Sequence, residues 1–345
     1  MSGATLIAGL AAGRRSRSAR RRAVTLALAA LLLGAFALTL MLGQSFTPPS
    51  QVLRVLAGHD VPGAGFTVGQ LRLPRAVVAV LAGASFGLGG AAFQVMLRNP
   101  LASPDIIGVS AGASAAAVFA IVFLGMDGAA VSVLAIAAGM GVALLIYLLS
   151  FRNGVTGARL ILVGIGISAM IHSFIAYALA RAPAWSLQEA MRWLSGSLNA
   201  ARIEQAGPLL AALVLCGGLI LSRRRDLEML RMGDNMAAAL GVRVAAVRLS
   251  VMLGAVGMIA VASSITGPIA FVAFLAGPIA LRITGPHGSV LVPAALVGAV
   301  LVLGADYAGQ FLLPARYPVG VVTGALGAPF LLWLIIRANR TGGSS

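Results

Sequence analysis

Residues 14–43 read RRSRSARRRAVTLALAALLLGAFALTLMLG: six arginines within nine residues, then an apolar run over 23–43 with no charged side chain. A helix needs roughly 20 mostly apolar residues to cross the hydrocarbon layer of a bilayer, and the run supplies them. A basic flank followed by an apolar run also resembles a secretory leader. Here the run is long and no clear small-x-small site ends it, and the paired arginines lack the flanks of a twin-arginine export signal. The stretch therefore predicts a retained first membrane helix behind a basic tail, residues 1–22.

The same pattern recurs along the chain. Apolar runs occupy approximately 76–97, 104–124, 129–150, 160–180, 206–222, 244–263, 267–281, 290–312 and 318–336. Of the 345 residues, 59% are hydrophobic and 10% charged, far too little charge to cover a soluble domain of this length. Ten helices joined by short connections fill the sequence. The 43 glycines fit helices that pack backbone to backbone in lipid. The expected organisation is a basic tail (1–22), one transmembrane domain (23–337) and a short tail (338–345).

Charge orients the runs. With the N-terminus inside and the helices alternating, 18 of the 25 arginines fall inside, from the six of the tail to Arg337 and Arg340. The other seven, Arg54, Arg72, Arg75, Arg181, Arg192, Arg202 and Arg316, fall outside. That bias supports an even helix number with both termini cytoplasmic, in a plasma (inner) membrane. The connection 44–75 holds Pro48, Pro49 and Pro62 and reads as a loop. Trp185 and Trp193 suit a short interfacial helix within 181–204. The inner connection 223–243 carries the densest mixed charge, and Asp234 to Gly241 read as a short helix capped by Asp234 and ended by Gly241. A solvated loop and a helix that docks into a partner both fit it. Pro278, inside an apolar run, predicts a kink or break.

Several chemistries are excluded or weakened. No lysine occurs in the chain, so no P-loop can form, since that motif needs a lysine at the nucleotide phosphates. One cysteine, Cys216, permits no internal disulfide or thiolate cluster. No metal site is evident, and arginines between apolar runs do not make a nucleic-acid face. Gly108-Val109-Ser110-Ala111-Gly112 matches G-x-S-x-G, but a nucleophile elbow requires strand–turn–helix context; an intramembrane serine hydrolase using Ser110, with His172 as a nominal base, is kept as a distant alternative. Asp306 is the one acid clearly inside an apolar run, which disfavours a proton-coupled carrier.

Certain blocks resemble the FecCD family, the permeases of type II ATP-binding-cassette importers for iron–siderophores, haem and vitamin B12. They are Leu71-Arg72-Leu73-Pro74-Arg75, Gly83 through Gln94, Arg98 through Gly108 (RNPLASPDIIG), Arg159 through Gly166 (RLILVGIG), and Trp193 through Asn199 (WLSGSLN). Met232-Gly233-Asp234 with Leu240-Gly241-Val242, and Tyr317 through Thr323 leading to Gly327-Ala328-Pro329, follow in order. The likeness covers roughly 70–337. Arg152-Asn153-Gly154 and the block at 195–199 look most like the ferric-enterobactin branch.

The resemblance implies the ten-helix permease fold, with two permease chains, identical or homologous, forming a pore above two ATPase subunits that hold ATP and magnesium. An extracytoplasmic binding protein would deliver the ferric siderophore. This chain would itself be no enzyme and hold no cofactor. Arg72 and Arg75 match the family's outer arginines that pair with the binding protein. Gly233, Asp234, Leu240 and Gly241 match the segment that couples to the ATPase, and Gly157 and Ala158 match the cytoplasmic gate. There are departures: an outer arginine of the vitamin B12 permease falls at Gln310, its Pro-His pair at Gly277-Pro278, and its following arginine at Leu281 beside Arg282. They weaken a vitamin B12 cargo, and haem remains the other alternative within the fold.

Overall fold

The computed structural model describes residues 3–150 and 157–342. Among the described residues it is helical throughout, with no strand. In chain order the helices are α1 (Gly3–Met41), α2 (Pro49–Leu56), α3 (Leu73–Leu97), α4 (Val109–Phe123) and α5 (Gly128–Ser150). They continue with α6 (Gly157–Arg181), α7 (Ala184–Leu194), α8 (Ala206–Ser222), α9 (Arg224–Leu230) and α10 (Asp234–Ala239). The last four are α11 (Val244–Thr266), α12 (Val272–Thr284), α13 (Leu291–Phe311) and α14 (Val319–Gly342). Seven helical segments are long and apolar enough to span a bilayer, on α1, α3, α5, α6, α8, α11 and α13. The apolar helices α4, α12 and the first part of α14 are shorter. Each of the ten expected runs therefore holds a helix, though not always over its full length, and the Trp185–Trp193 connection holds α7.

The hub is α3, which packs on α13, α11, α12 and α8 and buries most of its apolar stretch. Small residues make this possible. A β-carbon at Gly87 would collide with the carbonyl oxygen of Ala294, one at Gly298 with that of Gly83, and one at Gly90 with that of Ala273. Gly83, Gly87 and Gly90 lie three and four residues apart and so share one side of α3. Where lipid tails are as apolar as the side chains, such close backbone approach is what holds helices together. By contrast, α1 and α6 leave most of their apolar surface exposed.

Pro278 does not break its run. It removes the N–H that would bond the carbonyl of Phe274 four residues back. The side chain of Gln94, on α3, supplies the missing donor: its Nε2 reaches that carbonyl at 2.9 Å. Gly277 gives the room, because a β-carbon there would collide with Gln94 Oε1. A buried carbonyl left unpaired costs about 1–3 kcal/mol, so Gln94 makes the internal proline tolerable and ties α12 to α3.

Two expectations need correction. The run 267–281 is not helical from its start: Gly267 (φ 69°) and Phe271 (φ 64°) adopt left-handed backbone, and α12 begins at Val272. The stretch 44–75 is not a loop, because Pro49 opens α2 and a π-helical segment, Gly65–Arg72, runs into α3. Pro48 and Pro49 sit at a helix start, where the missing N–H is harmless, and Pro62 lies in the turn before the π-helical segment. The basic tail is also largely helical. At 39 residues α1 is about 58 Å long, roughly twice the hydrocarbon thickness, so its arginine-bearing half projects beyond the layer.

The α3–α13 contact is testable with two alanines on one helix. Gly298→Ala places a methyl group against the backbone of Gly83 and Gly87, and thermal unfolding in detergent should show a loss of about 1–3 kcal/mol. Gly304→Ala, with open space at the same helix, should be neutral or slightly stabilising. Equal behaviour of the two would contradict the close-packing account.

Candidate functional site

The two ends of the bundle differ in charge. At the arginine-poor end, Arg72 is committed inside the chain. Its Nη1 donates to the carbonyls of Leu40 (2.9 Å) and Met41 (3.0 Å) and to Thr47 Oγ1 (3.2 Å), and its Nη2 to the Ser45 carbonyl (2.7 Å). The guanidinium thus caps the carbonyl-rich end of α1, where the helix dipole favours a cation.

Arg75 clasps Asp306 on α13 with both edges of its fork, Nε to Oδ2 at 2.5 Å and Nη2 to Oδ1 at 2.7 Å. Its Nη1 donates to Asn199 Oδ1 (2.8 Å), and Gln310 Nε2 donates to the same oxygen (3.2 Å). The Asp306 side chain is 8% exposed and that of Arg75 22%, so the pair is largely out of water. This network is absent from the sequence reading. The signal was present: an acid inside an apolar run must find a cation, and Gln310, noted there as a departure, belongs to the same cluster. Arg54, Arg192, Arg202 and Arg316 at this end are exposed.

At the arginine-rich end, α9 and α10 form an elbow. Leu227, Leu230 and Ala237 are buried beneath it. Met232, Met236 and Leu240, four residues apart, are more than half exposed (59%, 53% and 54%). Gly233 (φ 107°) and Gly241 (φ 87°) bound α10 in backbone that side-chain-bearing residues rarely adopt. The expected cap by Asp234 is corrected: Gly233 holds the cap position and Asp234 makes no capping bond. Its carboxylate instead meets Arg248 on α11 at 2.7 Å and Arg98, at the end of α3, at 3.6 Å. The elbow is therefore fastened to the hub helix and to α11. Behind it, a cavity of about 280 Å³ is lined by Gln94, Arg98, Asn99, Arg231 and Pro278.

Gly157 and Ala158 open α6, and their side-chain surroundings lie outside the described residues, as do Arg152-Asn153-Gly154. Ser110 opens α4 with no strand before it, and its hydroxyl donates to Asp105 Oδ1 at 2.5 Å. His172 is exposed on α6 and makes no bond to Ser110, so the hydrolase geometry is not assembled. The small residues there serve packing, with Gly112 against Val142 of α5. Arg282 lies over the Trp333 ring, 4.9 Å from its centroid, joining α12 to α14. Among the described residues no three His, Cys, Asp or Glu side chains converge on a metal position.

A sequence model of the FecCD transport family matches residues 31–337. The ferric enterobactin transport system permease protein FepG of Escherichia coli (strain K12) is 41% identical over 295 residues, covering 84% of this chain and 88% of that protein. The achromobactin transport system permease protein CbrC of Dickeya dadantii (strain 3937) is 38% identical, covering 90% of each. The iron(3+)-hydroxamate import system permease protein FhuG of Bacillus subtilis (strain 168) is 33% identical, covering 90% of this chain and 95% of that protein. Among solved structures, an inward-facing transporter assigned to the metal-chelate ABC type matches with a TM-score of 0.82 at 27% identity, over 92% of this chain and 99% of that one.

The Arg75–Asp306 clasp predicts a non-additive mutant pair. Arg75→Ala leaves a buried carboxylate unpaired and should lower stability by about 3–5 kcal/mol. Arg75→Ala with Asp306→Ala should recover a good part of that loss in a thermal double-mutant cycle. Strictly additive losses would show that the two side chains do not act as a pair.

Proposed function

The chain belongs to the FecCD transport family, and from that premise we propose that it is the permease subunit of an ATP-binding-cassette importer carrying ferric siderophores into the cytoplasm. It is a multi-pass membrane protein and a transport subunit rather than an enzyme. The observation that carries the mechanism is the α9–α10 elbow: an exposed Met232–Met236–Leu240 surface among arginines, tied through Asp234 to α3 and α11. An apolar row at helical spacing on a mobile partner's side of the membrane suits a groove. With no lysine to build a P-loop, the nucleotide chemistry belongs to another chain. In this reading two ATPase subunits, holding ATP and magnesium, seat the elbow, and their closure pulls on the hub.

The arginine-rich end faces the cytoplasm in this proposal, with both termini there, following the inside bias of positive charge. A second permease copy or homologue completes the pore, and the weakly buried surface of α6 is available to it. The relatives named for ferric enterobactin, achromobactin and iron(3+)-hydroxamate systems support an iron–chelate cargo, and no observation on this chain favours haem or vitamin B12. The iron would travel inside its ligand, so no metal ligands are asked of the permease.

Docking of the binding protein is assigned to the outer face that Arg72 and Arg75 help build. Their guanidiniums are held rigid by internal bonds, and the exposed Arg54, Arg192, Arg202 and Arg316 around them add free positive charge for steering. Gly157 and Ala158 keep the proposed place at the inner gate.

Two variants separate the two faces in a reconstituted complex. Leu240→Asp with Gly241→Asp should lose co-purification with the ATPase, or reduce chelate-stimulated ATP hydrolysis by at least about tenfold, the effect of roughly 1.4 kcal/mol. Arg202→Glu with Arg316→Glu should keep assembly and basal hydrolysis while weakening stimulation by the loaded binding protein, most at low ionic strength. Normal stimulation in the first would remove the elbow from coupling, and normal stimulation in the second would remove these arginines from docking.

A further inference from the structure

The arginines of α1 divide into two sets. Arg21 is used inside the chain: its Nη1 donates to the His287 carbonyl at 2.9 Å and its Nη2 to the Ser289 carbonyl. This pins the basic half of α1 to the turn that leads into α13. Gly288, at φ 80°, makes the corner of that turn and leaves the space that Arg21 fills.

Beside the pin is a cavity of about 780 Å³, walled by α1, the turn before α13 and the α8–α9 junction. Arg17, Arg22 and Arg224 line it, with Ser18, His287 and Ser289 as further polar groups. No aspartate or glutamate lines it. The side chains of these three arginines make no hydrogen bond or ion pair to another described residue, whereas neighbouring Arg223 pairs with Asp226. Three like charges left facing one space repel one another and call for an anion.

The other end of the cavity is apolar, formed by Leu26, Leu221, Val292 and Pro293. On every wall the apolar residue lies deeper along its helix than the cationic or polar one. Leu26 follows Arg22 on α1, Leu221 precedes Arg224 at the end of α8, and Val292 follows His287 into α13. The cavity is thus cationic toward the arginine-rich face and apolar toward the middle of the membrane. A compact anion such as phosphate would use only the first part. A phospholipid has this graded chemistry along its length, and basic pockets between membrane helices suit anionic headgroups.

We propose that this cavity binds an anionic phospholipid of the leaflet at the arginine-rich face. Arg17, Arg22 and Arg224 hold its phosphodiester, and its acyl chain runs along Leu26 and Val292. The bound lipid bridges α1, α8 and α13, adding a clamp to a helix that buries little of its own surface against the bundle. The α9–α10 elbow begins at Arg224, so the lipid also braces the root of the proposed coupling segment. The site itself does not depend on the coupling proposal.

Native mass spectrometry of the full chain in neutral detergent tests this, with dioleoyl-phosphatidylglycerol, dioleoyl-phosphatidylcholine and inorganic phosphate as probes. Wild type should bind phosphatidylglycerol at least roughly tenfold more tightly than phosphatidylcholine, since each of the three arginines near the headgroup contributes roughly fivefold. Millimolar inorganic phosphate should not displace it. Arg17→Gln/Arg22→Gln/Arg224→Gln should abolish the preference. Arg15→Gln/Arg20→Gln/Arg225→Gln, with the same change in net charge outside the cavity, should retain it. Arg224→Gln alone, a mild change at an exposed residue, should lower the preference several-fold if the triple variant does not fold. Equal loss in both triple variants would mean diffuse surface charge. Displacement by phosphate would mean a soluble anion site, and no preference for phosphatidylglycerol would remove the site altogether.

Discussion

The backbone contact between α3 and α13 is the constraint on which the rest of the structure hangs. Gly83, Gly87 and Gly298 let two helices meet without side chains between them, and Gly90 does the same for α3 and α12. In a lipid solvent there is little hydrophobic force to drive helices together, so tight packing of small residues carries the association. Once α3 is enclosed, its two ends are placed. Arg75 near its start reaches Asp306 on α13, and Arg98 at its end reaches Asp234 at the elbow. Gln94, one turn before that end, repairs the gap that Pro278 opens in α12. One helix therefore touches the Arg75–Asp306 cluster at one end, the core, and the α9–α10 elbow at the other.

That placement gives a physical route between the faces. The elbow cannot shift without straining the contacts of Asp234 with Arg98 and Arg248, and both belong to or adjoin helices packed on the hub. At the other face the clasp of Arg75, Asp306, Asn199 and Gln310 joins α3 to α13 and to the segment after α7. Charge is used differently at the two ends. At the arginine-poor end, Arg72 and Arg75 are spent on internal bonds and exposed arginines surround them. At the arginine-rich end, Arg17, Arg22 and Arg224 line the cavity assigned to a lipid.

The spans were legible in the sequence because apolar runs of membrane length leave few alternatives; each of the ten runs holds a helix, and seven segments are long and apolar enough to cross a bilayer. Helix α10 was legible as one of two readings, because glycines flank a short stretch between charges; α9 before it was not read. Three kinds of feature were not. Pro48 and Pro49 were read as loop formers, although proline at a first helical turn starts a helix as readily as it breaks one. The partner of Asp306 lies 231 positions away, and no local pattern announces a contact that only the packed bundle creates. Gln94 entered the sequence reading only as the end of a family-like block. Its role depends on Pro278 and Gly277 from a different helix, so neither residue explains the other until both are in place.

The central claim is that this chain forms an import pathway for ferric chelates driven by a separate ATPase. The direct measurement is uptake of radiolabelled ferric siderophore by proteoliposomes holding this chain with its ATPase and second permease, ATP trapped on the ATPase side and binding protein on the other. The account predicts iron accumulation that requires ATP and the binding protein and that is lost when the ATPase is omitted. A complex that hydrolyses ATP yet accumulates no iron chelate, or iron uptake that persists without the ATPase, would contradict it.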